Sequence, residues 1–399
     1  MTSHDFSVSP ELSDTLKSLR TKAGALGVIG LGLTTVGAFM DQTQFYRSYL
    51  WTFIFWVGLS VGCLAWLMVQ YLTGGAWGVI IRRICESSAK TLPLWLLLFV
   101  PVIMGIPVLY GHSWANATLV AHDKVLQHKA PYLNTTFFVI RGFIYLGGWA
   151  LLGFLLNRIS DREDREGGKK PSSTMAKIAA PGLIFWAFAV TFMATDWALS
   201  VNPHWYSTMF GLLFIAGQGL SSLSFIVCIV VLLSFHKPMS NIITPRHLHD
   251  IGKFMLANVM VWAYFSFSQF LIIWAGNLPD EIPWYMERLR GGWQYVGLTL
   301  VIGHFALPFA LLLSRDLKRN FRLLRGIAIF ILVIRFVDVY WQVAGDYTPG
   351  ELHISWMDLT SLMGIGGLWF AFFLTNLMQR PLIPVNTPEL EEALAHGRE

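Results

Sequence analysis

The 399-residue sequence contains little charge, because only 13% of its residues are Asp, Glu, Lys or Arg. That share is half of the ~25% usual in soluble proteins. Hydrophobic residues make up 54%, and the mean hydropathy is +0.53. A soluble domain cannot cover so much apolar surface with charged side chains. The composition therefore excludes a soluble enzyme, a disordered chain and a nucleic-acid-binding protein. It predicts an all-α integral membrane protein in contact with lipid.

Cysteine is also scarce, and its spacing excludes several cofactor sites. Cys63, Cys85 and Cys228 are the three cysteines of the chain, and they form neither a CxxC pair nor a CxxCH motif. This pattern excludes a disulfide framework, a zinc ribbon, an iron–sulfur site and covalent c-type haem. A haem b would need facing histidines deep in the membrane, where only His304 is expected. We therefore predict that this chain binds no metal and no cofactor.

Long apolar runs dominate the sequence, and a membrane-spanning helix needs about 20 such residues. Little chain remains between the runs, so residues 1–399 are interpreted as one polytopic domain. Ten spans are predicted, at 23–40, 48–72, 92–110, 133–157, 177–200, 206–235, 251–276, 293–315, 322–344 and 353–378.

Lys and Arg are distributed unequally between the two sets of span ends. One set has 22 of them and the other has five. Positive residues stay in the cytoplasm, so the sequence predicts a multi-pass protein of the cytoplasmic membrane with both termini inside. Residues 1–22 form a cytoplasmic N-terminal segment, 158–176 a charged cytoplasmic linker and 379–399 a cytoplasmic tail.

Ionisable residues inside spans are costly in lipid, so they are candidates for function. Nearly all of them fall between the midplane and the outer surface, as expected for a polar pocket or a proton path that opens outward. In the outer loop that follows span five, His204 could belong to a proton exit. The candidates for a proton path are Asp196, Asp338, Arg335, Asp358, His304 and His204.

Each of these candidates also has a structural interpretation. Arg335 and Asp338 lie three residues apart on one helix face, and they could simply pair to tie spans together. His304 could be a packing residue, a proton carrier or a contact for a quinone. With Arg141 and Asp196 it would suit a quinol pocket. Polar residues in spans six and seven, such as Gln218 and Asn258, are expected to pack, or else to line a half-channel.

Four stretches resemble a known family of membrane subunits. They are DWALSVNPHWYSTMFG (196–211), IGKFMLANVMVWAYFSFSQFLIIWAGNLPDEIPWY (251–285), RFVDVYWQVA (335–344) and LTNLMQRPLIPVN (374–386). These runs resemble the ActF family, which are NrfD-like, polysulfide-reductase-type membrane subunits of alternative complex III. The resemblance covers residues 45 to 390.

The resemblance implies a fold and a role. Members of the family have ten helices, with two four-helix bundles made of spans 2–5 and 6–9 and two flanking helices. Alternative complex III is a quinol:electron-acceptor oxidoreductase that replaces the cytochrome bc complex in some bacteria. In it, an ActC-like sister subunit of ten spans lies beside an iron–sulfur protein, and c-type cytochromes carry haem. ActF-like subunits lack cofactors and are thought to conduct protons.

The family scheme makes spans five and nine equivalent, so Asp196 and Asp338 become matching outer-half carboxylates. The preferred hypothesis is a cofactor-free subunit that supports assembly and proton conduction, while menaquinol or another quinol is oxidised in the sister subunit. Two alternatives remain. The chain could bind quinol itself, or it could be a stand-alone secondary transporter, although no pair of broken spans marks a midplane site.

Overall fold

The computed structural model of the protein describes residues 6–167 and 169–396. It is 80% helical and has no strand among these residues, which confirms an all-α architecture. Residues 1–5 of the predicted N-terminal segment and residues 397–399 of the predicted tail lie outside the described residues. So does residue 168 in the predicted linker.

Helices follow one another with short connections along the described chain. They are α1 (Pro10–Met40), α2 (Gln42–Thr73), α3 (Ala76–Ala89), α4 (Leu92–Leu98), α5 (Val100–Met104), α6 (Ile106–Leu109), α7 (Ala117–His122), α8 (Lys124–Lys129), α9 (Thr135–Glu166), α10 (Lys169–Trp197), α11 (Phe210–Ser234), α12 (Pro245–Gly276), α13 (Pro283–Glu287), α14 (Trp293–Thr299), α15 (Leu307–Leu313), α16 (Arg315–Arg319), α17 (Phe321–Ala344), α18 (Trp356–Leu377) and α19 (Leu390–His396). A π-helical segment, Leu300–Ala306, joins α14 to α15.

Nine stretches of the described chain are long and apolar enough to cross a membrane. They correspond to nine of the ten predicted spans and support a multi-pass membrane protein. The remaining predicted span, 322–344, is the 24-residue helix α17. It is not among the nine, although its length of about 36 Å at 1.5 Å per residue exceeds the hydrocarbon core.

The third crossing differs from the sequence prediction. Its apolar helical stretch is Trp77–Met104, so it begins well before the predicted 92–110, and the expected connection 73–91 is mostly α3. Pro93, Pro101 and Pro107 each stand at the first turn of a short helix. Proline lacks the amide hydrogen of a helix interior, and it therefore divides this crossing into α4, α5 and α6.

The predicted linker 158–176 is also largely helical. Helix α9 continues to Glu166, and α10 begins at Lys169. Gly167 lies between them with a φ of 65°, a left-handed conformation that glycine adopts without strain. Helical extensions, rather than a flexible loop, therefore connect these two crossings.

Two central helices carry most of the core. In α2 and α11, 83% and 78% of the apolar stretch is buried. They touch through small residues: a Cβ added at Gly62 on α2 would lie 2.4 Å from the carbonyl oxygen of Gln218 on α11. Helix α1 packs against α18 in the same way, since a Cβ at Gly30 would lie 2.6 Å from the amide nitrogen of Gly364. Small residues allow such close approach in membranes.

Contacts between connections define two sides of the molecule. On the N-terminal side, the amide of Leu382 donates to the carbonyl of Phe6 at 2.9 Å. On the opposite side, the Tyr110 hydroxyl donates to the carbonyl of Trp197 at 3.0 Å, and Trp205 Nε1 donates to the carbonyl of Glu281 at 3.1 Å. The crossings thus alternate in direction between these two sides.

Candidate functional site

Asp338 on α17 is the centre of one buried polar cluster, here called the Asp338 cluster. Its carboxylate is fully buried. It accepts hydrogen bonds from the guanidinium of Arg335, from Nε1 of Trp262 at 3.0 Å and from Nε2 of Gln342 at 3.5 Å. Arg335 and Gln342 lie three residues before and four residues after Asp338, so helix geometry puts all three side chains on one face. Trp262 comes from α12.

Arg335 is buried because α11 leaves room for it. Its guanidinium lies against Gly217, where an added Cβ would stand 2.1 Å from Cζ. The ring of Phe214, one turn earlier on α11, lies 5.6 Å from the same Cζ. A charge in apolar surroundings needs a partner, and Asp338 supplies it. The predicted pairing of these two residues is present in the structure.

His304 completes the Asp338 cluster from the π-helical segment. Its Nε2 lies 3.8 Å from Asp338 Oδ2, and its ring stacks on Trp262 with centroids 3.9 Å apart. Pro308, four residues later, has no amide hydrogen for the His304 carbonyl, which favours a local departure from α-helical bonding. Single π-helical turns are frequent at functional sites.

Several buried polar atoms near this cluster lack a protein partner within the described residues. They are Nδ1 and Nε2 of His304, Oε1 of Gln342 and Nε1 of Trp341. Both amide atoms of Gln218, next to Gly217 on α11, are also unpartnered. Buried polar groups in native proteins almost always bind protein, water or ligand, so these atoms are places for water or ligand. Water between a carboxylate and an imidazole can relay protons.

Asp196, at the end of α10, is the centre of a second buried group, here called the Asp196 cluster. Arg141 on α9 binds it with two bonds, Nε to Oδ2 at 2.7 Å and Nη2 to Oδ1 at 3.0 Å. The Tyr145 hydroxyl donates to Oδ2 at 2.8 Å. The guanidinium also lies 3.8 Å from the ring centroid of Tyr132. A bidentate Arg–carboxylate pair is strong and fixed in geometry.

The other two sequence candidates lie apart from both clusters. Asp358 is the third residue of α18 and caps it, because its Oδ2 accepts from the amide of Ser355 at 2.8 Å. Its Oδ1 accepts from the Ser48 hydroxyl on α2 at 2.6 Å. This geometry ties the start of α18 to α2.

His204 lies in the connection after α10, where its side chain is 54% exposed. Its Nε2 is 2.6 Å from Oδ2 of Asp123, the cap of α8. The bond to His204 is the main reason that the pKa of Asp123 lies below its ordinary value, and the Leu126 and Val125 amides lower it further.

The structure thus divides the sequence candidates between separate places. Asp338, Arg335 and His304 meet in one cluster, and Asp196 and Arg141 meet in the other. No hydrogen bond or ion pair within the described residues joins His304 to Arg141 or Asp196. The quinol pocket suggested for those three residues would therefore have to be formed by two distinct clusters.

Sequence reasoning missed an ion pair between Arg288 and Asp346, which lies on the side of the molecule opposite the N-terminal side. Nη2 of Arg288 lies 3.2 Å from Oδ2 of Asp346, and both side chains are buried. The guanidinium also lies 3.6 Å from the ring centroid of Trp284. Burial lowers the pKa of Arg288, and Asp346 partly offsets that effect. The one available signal was an arginine within the aromatic loop 274–293.

A larger ion-pair network on the N-terminal side was also missed. Glu86 on α3 accepts from Arg82 at 2.9 Å, from Arg83 at 2.5 Å and from Arg380 at 3.3 Å. Glu163, in the predicted linker, is fully buried and lies 2.5 Å from Arg82. These arginines entered the sequence interpretation only as markers of orientation. Carboxylates inside positively charged stretches were the signal that could have revealed the network.

No family model matches this sequence, and no curated protein matches it. Among the described residues, no group of three or more His, Cys, Asp or Glu side chains is arranged to hold a metal ion.

Proposed function

We propose that this chain is a cofactor-free membrane subunit of a bacterial quinol:electron-acceptor oxidoreductase of the alternative complex III type. The proposal rests on the ActF-like segments together with the multi-pass helical architecture. Two of those segments supply the Asp338 cluster: 335–344 contains Arg335 and Asp338, and 251–285 contains Trp262. Both termini would lie in the cytoplasm, as the excess of positive residues on the N-terminal side indicates.

The proposed arrangement has two four-helix bundles. In this scheme α2 to α10 form the first bundle, α11 to α17 form the second, and α1 and α18 flank them. The close packing of α1 against α18 is compatible with that role. Asp196 and Asp338 then take equivalent positions near the outer ends of the two bundles.

Within the complex, the chain would support assembly and conduct protons while quinol is oxidised in a sister subunit. The observation that carries this role is the Asp338 cluster. A buried carboxylate lies there beside an imidazole with two unpartnered nitrogens, and side chains of these two kinds can exchange protons. Intramembrane ionisable groups of this kind mark proton relays.

The complex itself is tested by purification of the tagged chain in mild detergent. We expect a similar ten-span protein, an iron–sulfur protein and c-type cytochromes to co-purify. Recovery of the chain alone, under conditions that keep other respiratory complexes intact, contradicts this proposal. Solute flux in vesicles that contain only this chain would then establish the transporter alternative.

The proton role is tested by Asp338→Asn in the assembled complex. The amide keeps the size of the side chain but cannot exchange a proton, so we expect fewer protons translocated per electron in the complex that assembles. Loss of the counter-ion of buried Arg335 also lowers stability, by about 3–5 kcal/mol. Asp358→Asn is the matched control, because Asp358 caps α18 outside the cluster. An unchanged ratio of protons to electrons in Asp338→Asn contradicts the role assigned to Asp338.

A further inference from the structure

A group of cationic side chains, here called the Lys318 cluster, lies between the first three turns of α12 and the short helix α16. It consists of Lys318 and Arg319 of α16 with His249 and Lys253 of α12. The positive charges of Lys253, Lys318 and Arg319 all act on His249, and the carboxylate of Asp250 opposes them. The cluster lies on the N-terminal side of the molecule, where α12 begins and the crossing that contains α15 ends.

Lys318 is held against α12 and does not extend into solvent. Its side chain lies over Gly252, where an added Cβ would stand 2.8 Å from Cγ of Lys318, and the residue is only 6% exposed. Burial and the nearby charge of Lys253 lower the pKa of Lys318. Neither Lys318 nor Arg319 forms an ion pair with a carboxylate of the described residues. Since a partly buried charge needs a partner, these two cations leave a place for an anion.

Two further polar atoms of the Lys318 cluster are buried and have no partner in the part of the chain that the structure describes. They are Nδ1 of His249 and Nε of Arg319. Lys253 does have a counter-ion, because its Nζ lies 3.0 Å from Oδ1 of Asp250. Buried polar groups almost always bind protein, water or ligand, and a guanidinium together with an ammonium suits a phosphate.

The surface that adjoins the Lys318 cluster is apolar and exposed. On α12, Lys253 is followed at helical spacing by Met260 and Tyr264, which are 44% and 66% exposed. On α15, which packs beside α12, Ala310 and Leu313 are exposed three residues apart. The cationic groups therefore lie at the end of an exposed apolar strip on each of two adjacent crossings.

These observations select one class of ligand. A small soluble anion would match the cations but would leave the apolar strips uncovered, and a zwitterionic lipid brings a cation that the cluster repels. We propose that the Lys318 cluster binds the phosphate of an anionic phospholipid, with the acyl chains along the exposed faces of α12 and α15. Basic pockets between membrane helices bind such head groups. The inference goes beyond the proposed function and requires only that the chain lies in a membrane.

The test uses the full chain, purified in detergent, washed free of its own lipid and titrated with phosphatidylglycerol. Native mass spectrometry counts the bound lipid molecules and gives their dissociation constants. Phosphatidylcholine with the same acyl chains is the comparison lipid. We expect one phosphatidylglycerol to bind at least about fivefold more tightly than phosphatidylcholine, since each basic residue near a head group contributes about this factor. Equal affinity for the two lipids overturns the proposal.

Glycerol phosphate distinguishes a lipid from a soluble phosphate, because it carries the same charged group without acyl chains. Added in large excess, it should leave phosphatidylglycerol bound. Displacement of the lipid would show that the Lys318 cluster is a site for soluble phosphates, and it would overturn the lipid assignment.

Variants locate the binding site. Lys318→Met removes the charge and keeps the stem that packs over Gly252, and Arg319→Gln removes the guanidinium. Each should weaken binding of phosphatidylglycerol about fivefold and leave that of phosphatidylcholine unchanged. Lys17→Met is the matched control, because Lys17 lies on α1 on the same side of the molecule with its side chain 58% exposed.

Thermal unfolding of the same samples shows which variants are folded, and Arg319→Gln alone decides if Lys318→Met does not fold. Unchanged affinity for phosphatidylglycerol in the folded cluster variants overturns the proposal. So does an equal loss of affinity in Lys17→Met, since it would show attraction to the whole charged surface and not to one site.

Discussion

Asp196 and Asp338 are both fully buried, and each is paired with an arginine, but the two clusters are built differently. Arg141 reaches Asp196 from a neighbouring helix and binds both oxygens, and Tyr145 adds a third bond. Arg335 reaches Asp338 from the same helix. The imidazole of His304 stands 3.8 Å from that carboxylate without a hydrogen bond to it.

This difference separates an ion pair that holds helices together from a cluster in which protons can be exchanged. Arg141 and Asp196 join α9 to α10, so their bond holds two crossings together. The ion pair of Arg335 and Asp338 lies within α17, with Trp262 of α12 as a further donor, and the unpartnered atoms around it leave room for water or ligand. Two buried Asp–Arg pairs therefore need not have equivalent roles.

The largest effect is expected from Asp196→Asn. The amide leaves the buried guanidinium of Arg141 without its counter-ion, and breaking one partner of a buried pair costs about 3–5 kcal/mol. Thermal unfolding of the purified chain in detergent should show this loss. The proton-to-electron ratio of any complex that still assembles should stay unchanged.

The control for Asp196 is the double variant Arg141→Met, Asp196→Leu. Apolar replacement of both partners is often neutral or stabilising, so it should recover much of the lost stability. If Asp196→Asn instead leaves stability intact and lowers proton translocation, the distinction drawn between the two clusters is wrong.

Gly217→Ala should have the next largest effect. Its methyl group would occupy the place of the Arg335 guanidinium, and overpacking of this kind costs about 1–3 kcal/mol. Arg335 must then shift, so proton translocation should fall together with stability. Gly326→Ala, where the added methyl meets open space, should change neither. Normal function in Gly217→Ala would show that the position of Arg335 is not critical.

His304→Phe should change stability by less than about 1.5 kcal/mol, because a ring of similar shape replaces it and two unpartnered nitrogens are removed. The stack on Trp262 can persist. The proton-to-electron ratio should nevertheless fall, since no titratable ring remains beside Asp338. Strong destabilisation without loss of proton transfer would assign His304 to packing, as one interpretation of the sequence allows.

Much of the fold could be predicted from the sequence, because apolar runs in lipid have few alternatives to helices. Nine of ten predicted spans correspond to candidate crossings. The early start of the third crossing was missed, since Arg82, Arg83 and Glu86 look like loop charges. Their mutual pairing makes burial in α3 possible, and pairing between distant segments is not visible in a local pattern.

The candidate site could be predicted only where its contacts join residues that are close in the sequence. Arg335 and Asp338 are three residues apart, so helix periodicity reveals their contact. The partnership of Arg141 with Asp196 spans 55 positions of the chain, and that of Trp262 with Asp338 spans 76. Such contacts depend on how the crossings pack.

The smallest effect concerns the exposed pair of His204 and Asp123, which tests whether a histidine outside the clusters contributes. The bond to His204 lowers the pKa of Asp123 below its ordinary value of 3.8. A carboxyl with a lowered pKa stabilises the fold above its unfolded value and loses that contribution as the pH falls through the folded one. The amides of Val125 and Leu126 donate to Asp123. Their protection against hydrogen exchange should therefore fall only below a pH of about 4. Asp123→Asn should abolish this dependence of protection on pH.

His204→Ala should leave the proton-to-electron ratio unchanged, because His204 contacts Asp123, the cap of α8, and neither buried carboxylate. A lowered ratio would return His204 to the proton path. It would also contradict the restriction of proton exchange to the Asp338 cluster.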